Sequence, residues 1–94
     1  MLLISYQIEE DGSFNTAIGN NSLMSSFMTS YTSAFGYNSG SQDISGTYNT
    51  YLGAYSDISM DDPLHYSTAL GYGATIDDSH QVVLGDIRLN MVDG

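Results

Sequence analysis

A glycine returns at positions 19, 36, 53, 71 and 85, in steps of 17, 17, 18 and 14 residues. The same kind of stretch stands before each. The copies are Phe14-Asn15-Thr16-Ala17-Ile18, Tyr31-Thr32-Ser33-Ala34-Phe35, Tyr48-Asn49-Thr50-Tyr51-Leu52, Tyr66-Ser67-Thr68-Ala69-Leu70 and a looser His80-Gln81-Val82-Val83-Leu84. A near-constant period of this kind means stacked structural units, each too small to bury an apolar face alone. The fold must therefore place equivalent residues of successive copies next to one another.

Side chains two apart share one face of a strand. Phe14, Tyr31, Tyr48, Tyr66 and His80 thus line up with Thr16, Ser33, Thr50, Thr68 and Val82, and with Ile18, Phe35, Leu52, Leu70 and Leu84. The other face carries Asn, Thr, Asn, Ser and Gln, then Ala, Ala, Tyr, Ala and Val. The large, apolar face is expected to be the buried one. The Ala17, Ala34 and Ala69 column is expected where chains or coils approach closely, and Tyr51 interrupts it. Gly19, Gly36, Gly53, Gly71 and Gly85 are expected to end each strand, by adopting positive φ or by admitting a neighbouring backbone.

A second short strand is expected after each glycine, over 21–23, 38–40, 55–57, 73–75 and 87–89. Polar connectors are expected over 24–30, 40–47, 57–65 and 75–79. Pro63 fits a connector and not a central strand. Residues 1–13 stand outside the repeat. They read as an N-terminal strand, Leu2 to Ile8, and a polar turn leading into the five-copy domain of residues 14–94. No helical period survives more than a turn. The start Met1–Ser5 is too short for a secretory leader and lacks a basic flank. The fold class expected is all-β: a repeat β-solenoid or β-prism.

Eleven acids face one base, Arg88, giving a net charge of −10. That repels phosphate backbones and anionic membrane surfaces, so neither nucleic acid nor membrane is an expected partner. No cysteine is present, so thiol chemistry is excluded. A hydrophobic content of 41% argues against disorder. No apolar run is long enough to cross a bilayer as a helix.

The copies N-T-A-I-G-N-N-S-L, T-S-A-F-G-Y-N-S-G and S-T-A-L-G-Y-G-A-T resemble the head repeats of trimeric autotransporter adhesins. They equally resemble repeats of phage and giant-virus tail fibres and surface attachment proteins. The closing run from Ser79 to Asn90 is similar to the last fibre repeat of such proteins. The resemblance covers about residues 14–94. It implies an interleaved homotrimer with a threefold hydrophobic core, forming a stalk or receptor-binding head for host attachment. The implied location is a virion surface or, alternatively, a bacterial cell surface. The implied partner beyond the trimer is a host-surface glycan or receptor. A trimerisation and assembly module with no ligand of its own is the alternative.

No enzyme is read from the residues, and no cofactor is expected. His80 occupies the aromatic ladder position, and His65 is expected to be exposed in the Pro63 loop. Tyr37, Tyr55 and Tyr72 follow their glycines and are candidate sugar-stacking rings. The acidic pairs Asp61–Asp62 and Asp77–Asp78, near Asp43 and Asp57, are candidate oxygen ligands for a cation such as calcium. A solvated acidic surface is the competing reading of the same residues. The Thr rows also suit an ice-binding face, although uneven steps should spoil its regularity.

Overall fold

The computed structural model describes residues 14–59 and 63–85. The expected strand and turn within 1–13, the pair Asp61–Asp62 and the expected strand at 87–89 lie outside them. The described chain is an all-β parallel solenoid of about four turns. Its seven strands are β1 (Thr16–Ile18), β2 (Ser33–Phe35), β3 (Thr50–Leu52), β4 (Asp57–Ile58), β5 (Thr68–Leu70), β6 (Thr75–Ile76) and β7 (Val82–Leu84). The main sheet runs β1-β2-β3-β5-β7, all parallel, and β4 pairs with β6 on another side of the coil.

The register follows the repeat columns. Thr16 pairs with Ser33, Ser33 with Thr50, Thr50 with Thr68, and Thr68 with Val82. Uneven steps are absorbed wholly by the connectors, so the rungs stay aligned. The hydroxyl row Thr16, Ser33, Thr50 and Thr68 accordingly stays in register across the uneven steps. Second strands form at 57–58 and 75–76, slightly later than expected. The equivalent stretches of the first two coils are turns.

Each glycine corner has two causes. Gly19, Gly36, Gly53 and Gly71 have φ of +128°, +132°, +130° and +115°. A Cβ on Gly36 would also stand 2.8 Å from the Gly53 carbonyl carbon. Successive corners therefore nearly touch, backbone to backbone. A turn closes behind all four, the N–H groups of Ser22, Ser39, Ser56 and Ala74 donating to the Gly19, Gly36, Gly53 and Gly71 carbonyls.

The opposite corner is built from non-glycine residues. Phe14, Tyr31, Tyr48, Tyr66 and His80 all have φ between 54° and 62°. Such a backbone costs about 1–2 kcal/mol at each L-residue. A side-chain clamp offsets it by satisfying the N–H that follows. Thr32 N–H donates to Asn15 Oδ1 at 3.0 Å, Asn49 N–H to Thr32 Oγ1 at 3.4 Å, Ser67 N–H to Asn49 Oδ1 at 2.9 Å and Gln81 N–H to Ser67 Oγ at 3.2 Å. The polar column of the repeat is thus a continuous inter-coil hydrogen-bond ladder.

The facing of the strands is the reverse of the expected one. Ala17, Ala34, Tyr51 and Ala69 are buried inside the coil, with Val83 partly buried against them. The aromatic, Thr and aliphatic columns point out. Leu23, Ile58, Leu64 and Ile76 enter the interior from the other walls of the coil, so the space left behind the main sheet is filled by small side chains. The alanines accordingly mark close packing within one chain. Tyr51 is accommodated because Gly40 leaves room: a Cβ there would stand 2.8 Å from the Tyr51 ring.

Candidate functional site

The outward surface of the main sheet carries three parallel rows. Along one edge, Phe14, Tyr31, Tyr48, Tyr66 and His80 stack face to face, with centroid spacings of 5.0, 5.0, 4.8 and 5.1 Å. The stack follows from the register: parallel strands repeat the same backbone, so identical corners hold their rings about one strand spacing apart. His80 is therefore a structural ladder residue, as its position suggested. The hydroxyl row Thr16, Ser33, Thr50 and Thr68 runs down the middle. Ile18, Phe35, Leu52, Leu70 and Leu84 form the third row, each 36–44% exposed.

This face carries no acid. The acids among the described residues are Asp43, Asp57, Asp77 and Asp78, none in these rows, and the described residues include no lysine or arginine. An apolar strip five rungs long is larger than the scattered exposed hydrophobics normal for a monomer, and such strips mark interaction sites.

Tyr37, Tyr55 and Tyr72 lie beyond the glycine corners and form a second ladder. Their rings meet edge to face, at 5.4 Å and 83° and at 5.6 Å and 70°. The sequence-predicted trio is thus brought together. Packing uses part of each ring, and Tyr72, 74% exposed, presents the most free surface.

The acidic residues divide. Asp77 and Asp78 are exposed, as expected of a solvated surface. Asp77 exchanges two hydrogen bonds with Gln81, and the Asp78 carboxylate accepts from Ser79 N–H. Among the described residues, no group of three or more His, Asp or Glu is placed to hold a metal ion. Asp43 and Asp57 are buried instead. Asp43 accepts from Tyr51 Oη at 2.6 Å, Asn49 Nδ2 at 3.2 Å and Gly46 N–H at 2.7 Å. Asp57 accepts from Ser41 Oγ and from the Gln42 and Ile58 N–H groups. Sequence reasoning missed these roles because a carboxylate within a Ser/Gly-rich connector looks solvated. The donors that hold it belong to neighbouring turns of chain.

His65 is also better anchored than expected. Its Nδ1 accepts from Thr47 Oγ1 at 2.7 Å and from Thr47 N–H at 3.1 Å. The ring is half-buried and ties two coils together. Two donors from one residue already occupy the single acceptor nitrogen.

Comparison with protein-family models, curated proteins and solved structures finds no match. The fold and its outward face are therefore the basis for the functional reading.

Proposed function

We propose that this chain is a non-enzymatic repeat segment of a homotrimeric surface fibre, in which three ladder faces meet around the threefold axis. The observation that carries the reading is an uncharged, apolar face on a chain of net charge −10. Association through any acid-bearing surface would bring like charges together, whereas this strip brings none. Its large side chains leave on the order of 1,000 Å² of accessible surface per protomer, taking roughly 200 Å² for each fully exposed one. A stable interface uses about 800 Å² per partner. Every strand of the main sheet pairs within one chain. The assembly proposed is accordingly three solenoids side by side, not interleaved strands.

In this arrangement the expected threefold core is made of the outward rows, and the small column remains each protomer's own core. The segment would serve as stalk or receptor-binding head in host attachment, at a virion surface or, alternatively, a bacterial cell surface. Tyr37, Tyr55 and Tyr72 are the proposed sugar-contacting residues. With no lysine or arginine among the described residues, a neutral glycan suits them better than an acidic one. Light scattering is expected to give three times the chain mass, and a stable monomer would refute the assembly. A glycan array separates the two functional readings. Binding to neutral glycans that Tyr72→Ala abolishes supports a head. A trimer that binds none is an assembly module or stalk.

A further inference from the structure

We infer that the junction between the second and third coils is a proton-operated fastener: taking up one proton at the Asp57 carboxyl tightens it. Asp57 opens β4, and its side chain reaches back to the preceding connector. There it accepts from Ser41 Oγ at 3.0 Å and from Gln42 N–H at 3.1 Å, while its own Ile58 N–H donates at 2.9 Å. Its backbone N–H donates forward to the Ala74 carbonyl at 2.9 Å. One residue thus links the coils before and after it.

The group is 7% exposed. The titratable groups facing it are the Asp43 carboxyl, on the second coil's connector, and the Tyr51 phenol on β3. On its other side β6 contributes Thr75 and Ile76, neither of which titrates. The described residues supply no lysine or arginine to balance the anion. Burial first, and then the like charge of Asp43, penalise the carboxylate, and its pKa is pushed up to about 6 although its hydrogen bonds pull the other way. The neutral acid keeps every partner. Its carbonyl oxygen still accepts from the Gln42 N–H, and its new O–H donates to Ser41 Oγ, a hydroxyl able to accept as well as donate.

The linkage has a definite sign. An unfolded aspartate binds its proton near 3.8, the folded one near 6, so between these values the folded chain holds more protons. Stability from this group is present below pH 4 and lost as pH rises through 6. Over that window the folded-to-unfolded ratio changes by roughly ten- to a hundredfold. The device lies inside the coil, away from the ladder face, and does not depend on the proposed trimer.

The test compares urea midpoints at pH 7.5 and pH 5.0 for the full chain, Asp57→Asn and Asp77→Asn. Asp77→Asn removes the same nominal charge from an exposed site and controls for general repulsion. The wild type and Asp77→Asn are expected to gain stability on acidification. Asp57→Asn, which mimics the neutral acid, should already be stabilised at pH 7.5 and gain much less. An undiminished gain in Asp57→Asn overturns the inference. Should that variant not fold, the carboxyl carbon shift of Asp57 in the wild type decides: a midpoint near 6 supports the fastener, and one at or below about 4 overturns it.

Discussion

The Tyr51 phenol crosses the interior of its own coil to donate a 2.6 Å hydrogen bond to Asp43 on the connector of the coil before. Both residues are fully buried. The ring fills the space that Gly40 leaves open, and the hydroxyl satisfies a carboxylate that water cannot reach. One large residue in a column of alanines is therefore a brace between two sides of the solenoid.

Tyr51→Phe should cost about 1–3 kcal/mol, because the Asp43 oxygen loses a buried donor while the ring keeps its packing. Gly40→Ala should cost about 1–3 kcal/mol through crowding of Tyr51 and Leu23. Because the two positions share one space, Gly40→Ala in a Tyr51→Leu background should cost less than in the wild type. A double-mutant cycle by urea denaturation measures the coupling, expected at about 1 kcal/mol. Additive effects would show that Gly40 does not make the room.

Alkali should single out Tyr51. Burial, and secondarily the Asp43 carboxylate, raise its pKa well above the ordinary 10.0. The folded state therefore holds a proton that the unfolded state releases, and stability falls as pH rises above about 10. Absorbance at high pH should show one phenol that ionises only as the fold opens. Tyr51→Phe should lack that step.

The glycine corners should rank by space and not by φ alone. Gly36→Ala places a Cβ 2.8 Å from the Gly53 carbon and 2.9 Å from Ala54 N, backbone atoms that cannot step aside. A loss of about 3 kcal/mol or more is expected. Gly73 has φ +69° and nothing within 4 Å of its virtual Cβ. Gly73→Ala should cost only about 1–2 kcal/mol of backbone strain. Thermal midpoints of the two variants check the order.

Leu52→Asp combined with Leu70→Asp should dissociate the proposed trimer and leave the coil folded, since both side chains point outward. Sedimentation reads the mass and circular dichroism reads the fold. A double variant that is still trimeric would move the interface elsewhere on the molecule.

Much of the architecture was legible from the columns, for a physical reason. Parallel in-register strands place like beside like, so the aromatic stack and the glycine corners follow from position alone. Alternation tells which residues share a face but not which face turns inward. The missing quantity was the space left behind the main sheet, and the signal for it was size. With Leu23, Ile58, Leu64 and Ile76 entering from the other walls, Ala17, Ala34 and Ala69 fit there whereas Phe35 and Leu52 do not. Tyr51 looked like a fault in the pattern because its compensation, Gly40, sits eleven residues earlier on another wall. The buried carboxylates Asp43 and Asp57 were the least legible. Their donors, Asn49, Tyr51 and the Gln42 N–H, are gathered only by the winding of the chain.

The connectors carry all the length variation while the rungs stay in register. Such a chain works like a ruler with unequal handles. Insertions and deletions between marks leave the scale unchanged, so a lineage of these molecules can vary its loops without re-evolving the ladder face. Its reach can also be lengthened by duplicating whole turns.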